Sequence, residues 1–176
     1  MIVAADIDGF VPGTCNLYMR NDISSEGASG TVGSEDFVEW VRHFLVPTLG
    51  NYARGEKRSI VIMDNASTHM CNEVEYLIES VGAVLLYTAP YSPDLNPIEM
   101  MFNCYKMYLK RHEIEFCNDY LKVHNDALNS VTSDIAIKEF RKCGVPHSSS
   151  ILTSKETEKQ DNDFLFLILI LIKLMN

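Results

Sequence analysis

Basic residues are scarce in this chain: 15 Lys and Arg stand against 24 Asp and Glu, a net charge of −9 over 176 residues. That balance excludes a phosphate-binding surface spread over the whole body, so any contact with nucleic acid has to follow a local basic stripe. Cysteine motifs are missing as well. Cys15, Cys71, Cys104, Cys117 and Cys143 form no C-x-x-C pair and no close Cys/His spacing. A zinc site is therefore not expected, and the five read as free thiols in a reducing compartment. No secretory signal is expected from this start, because the apolar run Ile2-Val3-Ala4-Ala5 is cut short by Asp6 and Asp8. Long hydrophobic runs are lacking too: the longest, residues 164–172, has nine residues, and a helix that spans a bilayer needs about 20. No internal repeat is present.

What is there fits one domain with a sizeable core, 47% hydrophobic and 22% charged. Residues 2–7 and 15–19 read as strands, with Asp8-Gly9 in the connection between them. Residues 21–33 form a Gly/Ser-rich loop. Ser34 can cap a helix that runs to about residue 45, with Phe37, Trp40, Val41 and Phe44 on one face. Residues 59–63 have the continuous apolar run of a strand buried on both faces. A helix follows over 72–81, with Asn72 and Glu75 at capping-box spacing, a stripe of Val74, Leu77, Ile78 and Val81, and Gly82 as the stop. Residues 83–87 read as the next buried strand. Strand, helix and strand at this spacing predict a βαβ unit with two parallel strands.

Two carboxylates then become conspicuous. Asp64 ends the run Ile60-Val61-Ile62-Met63, and Glu99 closes Pro90-Tyr91-Ser92-Pro93-Asp94-Leu95-Asn96-Pro97-Ile98-Glu99, with 34 residues between the two acids. In a parallel pair the strand ends lie side by side, so both acids are delivered to one edge of the sheet, where sites in open α/β sheets form. Two converging carboxylates are oxygen ligands for a divalent cation of the kind that serves phosphodiester chemistry. Each acid also has an ordinary explanation when taken alone. A strand-end aspartate can make an Asx turn, and Glu99 stands three residues after Asn96, a good helix cap followed by Pro97 at the first helical position. Asp6 and Asp8 are read as the acids of a strand end and a turn. Along the helix from residue 96, Ile98, Met101, Phe102, Tyr105 and Leu109 form the buried stripe, while Glu99, Asn103, Lys106 and Lys110 share another face. Further helices are expected over 120–130 and 133–142.

On these residues the chain resembles the catalytic domain of Tc1/mariner-type transposases, in the DDE superfamily of endonucleases. The matching segments are Ile62-Met63-Asp64-Asn65-Ala66-Ser67-Thr68-His69 and the run from Pro90 to Glu99, with the gap between the acids agreeing too. Weaker similarity runs through Ala4-Ala5-Asp6-Ile7-Asp8-Gly9-Phe10-Val11, Ser34-Glu35-Asp36-Phe37 and Phe140-Arg141-Lys142-Cys143-Gly144, so that residues 1–146 form the domain. The resemblance implies an α/β, RNase H-like fold, a mixed sheet of three antiparallel strands followed by two parallel ones and flanked by helices. It implies that Asp64 and Glu99 are catalytic acids and ligands of Mg²⁺ or Mn²⁺. Lys106, Lys110, Asn65 and His69 are then candidate DNA contacts. The implied partners are transposon ends and target DNA, with a homodimer and no membrane, and the implied location is the nucleus.

The family's first catalytic aspartate is expected on a strand preceding the segment matched by Ile2 to Ile7. That first strand, and the family's helix-turn-helix region, are read as missing here, and activity of this chain alone is not expected. The competing reading is a non-catalytic remnant that binds DNA or a transposase partner. Residues 147–163 read as a polar linker. For the apolar tail 164–176 two readings are open, a buried strand or a non-native extension, and the second is preferred. As a strand the tail can fill the vacant central slot, and left exposed it is an aggregation hazard.

Overall fold

The computed structural model describes residues 1–17, 33–65, 71–89 and 92–144, and the backbone of one further strand at 167–172. The chain opens with β1 (Ile2–Asp6), whose five residues are all buried. It turns through Ile7 and Asp8 into the short antiparallel β2 (Gly9–Phe10). The Asp8 N–H donates to Asp6 Oδ1 at 2.8 Å, the Asx turn that an aspartate at this position favours. Gly9 is required here: its φ is +123°, and a Cβ would sit 2.6 Å from the Val131 carbonyl oxygen. The strand expected over 15–19 shrinks to one bridge, Asn16 opposite Ile2; residues 18 and 19 lie outside the described residues. Thr14 takes over the pinning of this loop. Its Oγ1 accepts from the Ala4 N–H and donates to the Val11 carbonyl, while its own carbonyl accepts from Trp40 Nε1–H at 2.7 Å.

The first helix, α1 (Ser34–Trp40), is capped by Gly33 rather than Ser34 and continues directly into a π-helical turn, Val41–Leu45. That turn corrects the expected face. Opening the hydrogen bonds to i→i+5 advances the register by one residue, so Leu45 becomes fully buried and Phe44 is left partly exposed. The turn lies immediately before Pro47, which has no N–H to continue the ladder.

The βαβ unit forms as expected. β3 (Ile60–Met63) and β4 (Val84–Tyr87) run parallel, with Met63 opposite Tyr87. Between them α2 (Asn72–Ser80) buries Val74, Leu77 and Ile78. Its N-cap is Cys71, one residue earlier than the Asn72 cap expected from the capping-box spacing, and Gly82 (φ +82°) takes the left-handed stop. The expectation of a fully buried β4 is corrected: Leu86 and Tyr87 are exposed, because among the described residues β4 is an edge strand with a neighbour on one side only. After it come α3 (Pro97–Arg111), α4 (Glu113–Asn118), α5 (Tyr120–Asn129) and α6 (Ser133–Lys142).

The sheet is completed from the far end of the chain. The apolar tail contributes β5 (Leu167–Ile172), and the strand order is β2-β1-β5-β3-β4. β5 pairs antiparallel with β1 and parallel with β3. β1 and β3 are not paired with each other, so β5 supplies the hydrogen bonds that join the antiparallel half of the sheet to the parallel half. The tail thus supplies a strand between β1 and β3.

Alternation along the strands sends side chains to two cores. Ile2, Ala4, Val61 and Met63 face α1 and α2 with Phe37, Trp40, Val74 and Ile78. Val3, Ala5, Ile60 and Ile62 face α3, α5 and α6 with Ile98, Met101, Phe102, Tyr105 and Phe140. The result is a mixed sheet between two helical layers.

Candidate active site

Asp64 follows directly on β3, and two hydrogen bonds fix the backbone around it. The Thr88 N–H donates to the Met63 carbonyl at 2.8 Å, extending the β3–β4 pairing past the strand ends. The Asn65 side-chain amide donates to the Thr88 carbonyl at 2.6 Å. Asp64 is held between these two ties, half-buried, at the edge where both parallel strands leave the sheet.

Glu99 arrives at the start of α3. Asn96 caps that helix, its side-chain oxygen accepting from the Ile98 N–H at 3.3 Å, and Pro97 occupies the first helical position. Ile98 is fully buried, which anchors the first turn. Glu99 beside it is half-buried in the acidic-favouring first turn of the helix. The nine residues 88–96 connect the end of β4 to this cap. What the fold gives, then, is two carboxylates on segments leaving the same sheet edge, each with a rigid element behind it.

Asp6 stands elsewhere. β1 runs against β3, and Ala5, Leu169 and Ile62 form one row across the sheet. Asp6 is one step from that row toward the start of β3, and Asp64 is two steps from it toward the end. Three residues along and two strands across separate them by about 14 Å. Asp6 is instead a buried partner of Arg58, whose Nε–H donates to Asp6 Oδ2 at 2.8 Å. Its other oxygen holds the Asx turn, so both oxygens have structural duties, as the reading of a strand-end acid expects.

The remaining site residues separate by place. Lys106 and Lys110 are exposed on α3, in the lysine–arginine end of that helix. They lie about 10 and 17 Å along the axis from Glu99, given 1.5 Å per residue. Asn65 carries the tie to Thr88 described above. His69 lies outside the described residues. Sequence spacing gave no sign of the Asp6–Arg58 pair, nor of a contact between Cys15 and His124, because 52 and 109 residues separate the partners. A strand-end acid on β1 and an arginine just before β3 are the signal that points to the first.

The family comparison falls on this same ground. The sequence profile of the DDE superfamily endonuclease family matches residues 17–121, well over half of the chain and a span that includes both Asp64 and Glu99. The chain belongs to the DDE superfamily of endonucleases. Its mixed sheet flanked by helices is the RNase H-like fold of a DDE endonuclease domain. No curated protein and no solved structure matches the chain.

DDE endonuclease domains generally depend on divalent metal, so the donor set matters. Among the described residues no group of three His, Cys, Asp or Glu side chains could hold a metal ion. β5, the central strand beside β3, is Leu-Ile-Leu-Ile-Leu-Ile and brings no carboxylate. The described residues therefore do not make a complete three-carboxylate centre, and no catalytic step is derived through one.

Proposed function

We propose that this chain is a Tc1/mariner-type transposase domain, built for metal-dependent cleavage and joining of DNA in transposition, and catalytically silent in the form described here. What supports the reading is the matched DDE span, which includes Asp64 at the end of β3 and Glu99 in the first turn of α3. Silence follows from the neighbouring strand. A two-ion site for phosphoryl transfer needs several oxygen ligands around closely spaced cations, and the strand paired with β3 offers none.

In this reading Asp64 and Glu99 are a residual pair that holds Mg²⁺ or Mn²⁺ weakly. The DNA partner, transposon ends or target, would be met by Lys106 and Lys110 rather than by the acidic bulk of the surface. A homodimer and a nuclear location belong to the same proposal.

Two assays test it. In a Mn²⁺ titration followed by electron paramagnetic resonance, wild type should bind weakly, and Asp64→Ala and Glu99→Ala should each abolish the binding. If neither variant changes the titration, the residual pair is not a metal site. In a nicking assay on supercoiled plasmid, wild type should match Asp64→Ala; cleavage that depends on Asp64 would overturn the silence.

A further inference from the structure

Away from the acids, the loop after β2 and helix α5 enclose a cavity of about 670 Å³. Phe10, Val11, Leu17 and Leu128 make much of its lining apolar, and Asn16, Asn125 and Asn129 add carboxamides. Among the described residues no Asp, Glu, Lys or Arg lines it. Burial raises the Cys15 thiol to about 11 and lowers His124, so these two lining groups are also neutral at pH 7. An uncharged hole of this kind suits an apolar occupant, because a charge entering it would meet no partner.

Next to the cavity stands a helix that buries nothing. α4 has no buried residue, and its N-cap His112 makes no side-chain cap bond. Ile114 is 82% exposed, the most of any large apolar side chain among the described residues. α4 leads directly into Tyr120 and Leu121, which line the cavity and are themselves exposed. The knob and the hole therefore share one surface. Their sizes agree as well. A helical turn 10–12 Å across and 5.4 Å high occupies roughly 400–600 Å³ with its side chains, which the cavity can hold.

The charge on this surface is unlike the rest. Lys106, Lys110, Arg111 and Lys122 stand against Glu113, Glu115 and Asp119, so residues 106–122 carry +1 in a chain of −9. Two copies of the chain repel each other least across this segment. We propose that it is a two-fold contact between two copies, in which each α4 seats Ile114 in the other copy's cavity. A knob and a hole side by side on one face are self-complementary, as an isologous contact requires. The carboxamides of Asn16, Asn125 and Asn129 then offer donors and acceptors to the backbone ends of the entering helix, whose first N–H and last C=O groups have no partner within it. The contact rests on the homodimer proposed above and gives it a surface.

Sedimentation equilibrium on the intact chain over a range of protein concentrations tests it. Wild type should dimerise reversibly. Ile114→Lys carries a charge into the partner's cavity, and Asn125→Trp blocks the cavity mouth. Each should weaken the dimer at least about 30-fold, as for the loss of a central anchor. Both positions are exposed, so both variants should keep the wild-type circular dichroism. An equimolar mixture of the two should be more dimeric than either alone, because Ile114 of the Asn125→Trp copy still meets the open cavity of the Ile114→Lys copy. A wild type that stays monomeric at every concentration would overturn this contact and the homodimer together. A dimer unweakened by either substitution would leave the homodimer standing and overturn this surface. A mixture no more dimeric than its parts would overturn the pairing of Ile114 with the cavity.

Discussion

Two aspartates each end an apolar strand in this molecule, and their fates differ. Asp6 closes β1 with 1% of its surface exposed and binds Arg58 and the Asp8 N–H. Asp64 follows β3 half-buried, at the edge where the parallel strands leave the sheet. Locally the two segments read alike. The difference lies in strand direction: β1 runs against β3, so the C-terminal end of one lies beside the N-terminal end of the other. An acid at the end of an antiparallel strand is placed for structure, and an acid at the end of the parallel pair is placed at the edge where ligands bind.

The strongest way to break that comparison is to remove the strand that relates the two halves. Truncation after residue 153 deletes β5 and leaves β1 and β3 without their shared neighbour. The loss should exceed the roughly 5–15 kcal/mol by which a domain is stable, so no cooperative unfolding transition should remain by circular dichroism. An unchanged Tm would mean that the tail contributes nothing.

Arg58→Ala set against Asp64→Ala sharpens the comparison next. Removing Arg58 strands a buried carboxylate and should cost about 3 kcal/mol, at the low end for a buried pair because the arginine is partly exposed. Asp64→Ala should cost less than about 1 kcal/mol, as for substitutions outside a buried network. Urea midpoints measure both, and equal losses would erase the distinction drawn between the acids.

Asn96→Ala should cost about 1 kcal/mol by removing the cap that seats Glu99, again read from the urea midpoint. The smallest effect on stability is expected at the far end of α3. Lys106→Glu with Lys110→Glu should stay within about 0.5 kcal/mol of wild type. If these lysines meet phosphate, the salt slope of DNA binding, measured by fluorescence anisotropy, should fall by about 1 for each. An unchanged slope would remove them from the DNA surface.

Much of the layer that carries Glu99 was legible because its determinants are local. The cap Asn96, Pro97 and the stripe Ile98, Met101, Phe102, Tyr105 and Leu109 are fixed by neighbours three and four residues away, and the first four of the stripe are fully buried while Leu109 is half-buried. The same logic found α2 and the parallel β3–β4 pair. It failed where distant parts of the chain decide. The π-helical turn that buries Leu45 instead of Phe44 answers to the core beneath it. β4 is an edge because of where the sheet stops. The tail's alternating Leu and Ile suit a strand and offer no clue to its neighbours, which lie more than 100 residues away for both β1 and β3. The Cys15–His124 contact is invisible for the same reason.

The central claim is that residues 167–172 occupy the middle of the sheet, giving β3 an apolar partner in place of an acidic one. Hydrogen–deuterium exchange read by mass spectrometry tests it most directly, because a strand paired on both sides opens only with the whole domain. The account predicts that the amides of 167–172 are protected as strongly as those of β3, and that both lose protection together under denaturant. Exchange of 167–172 at the rate of an unstructured peptide, with β3 still protected, would contradict it.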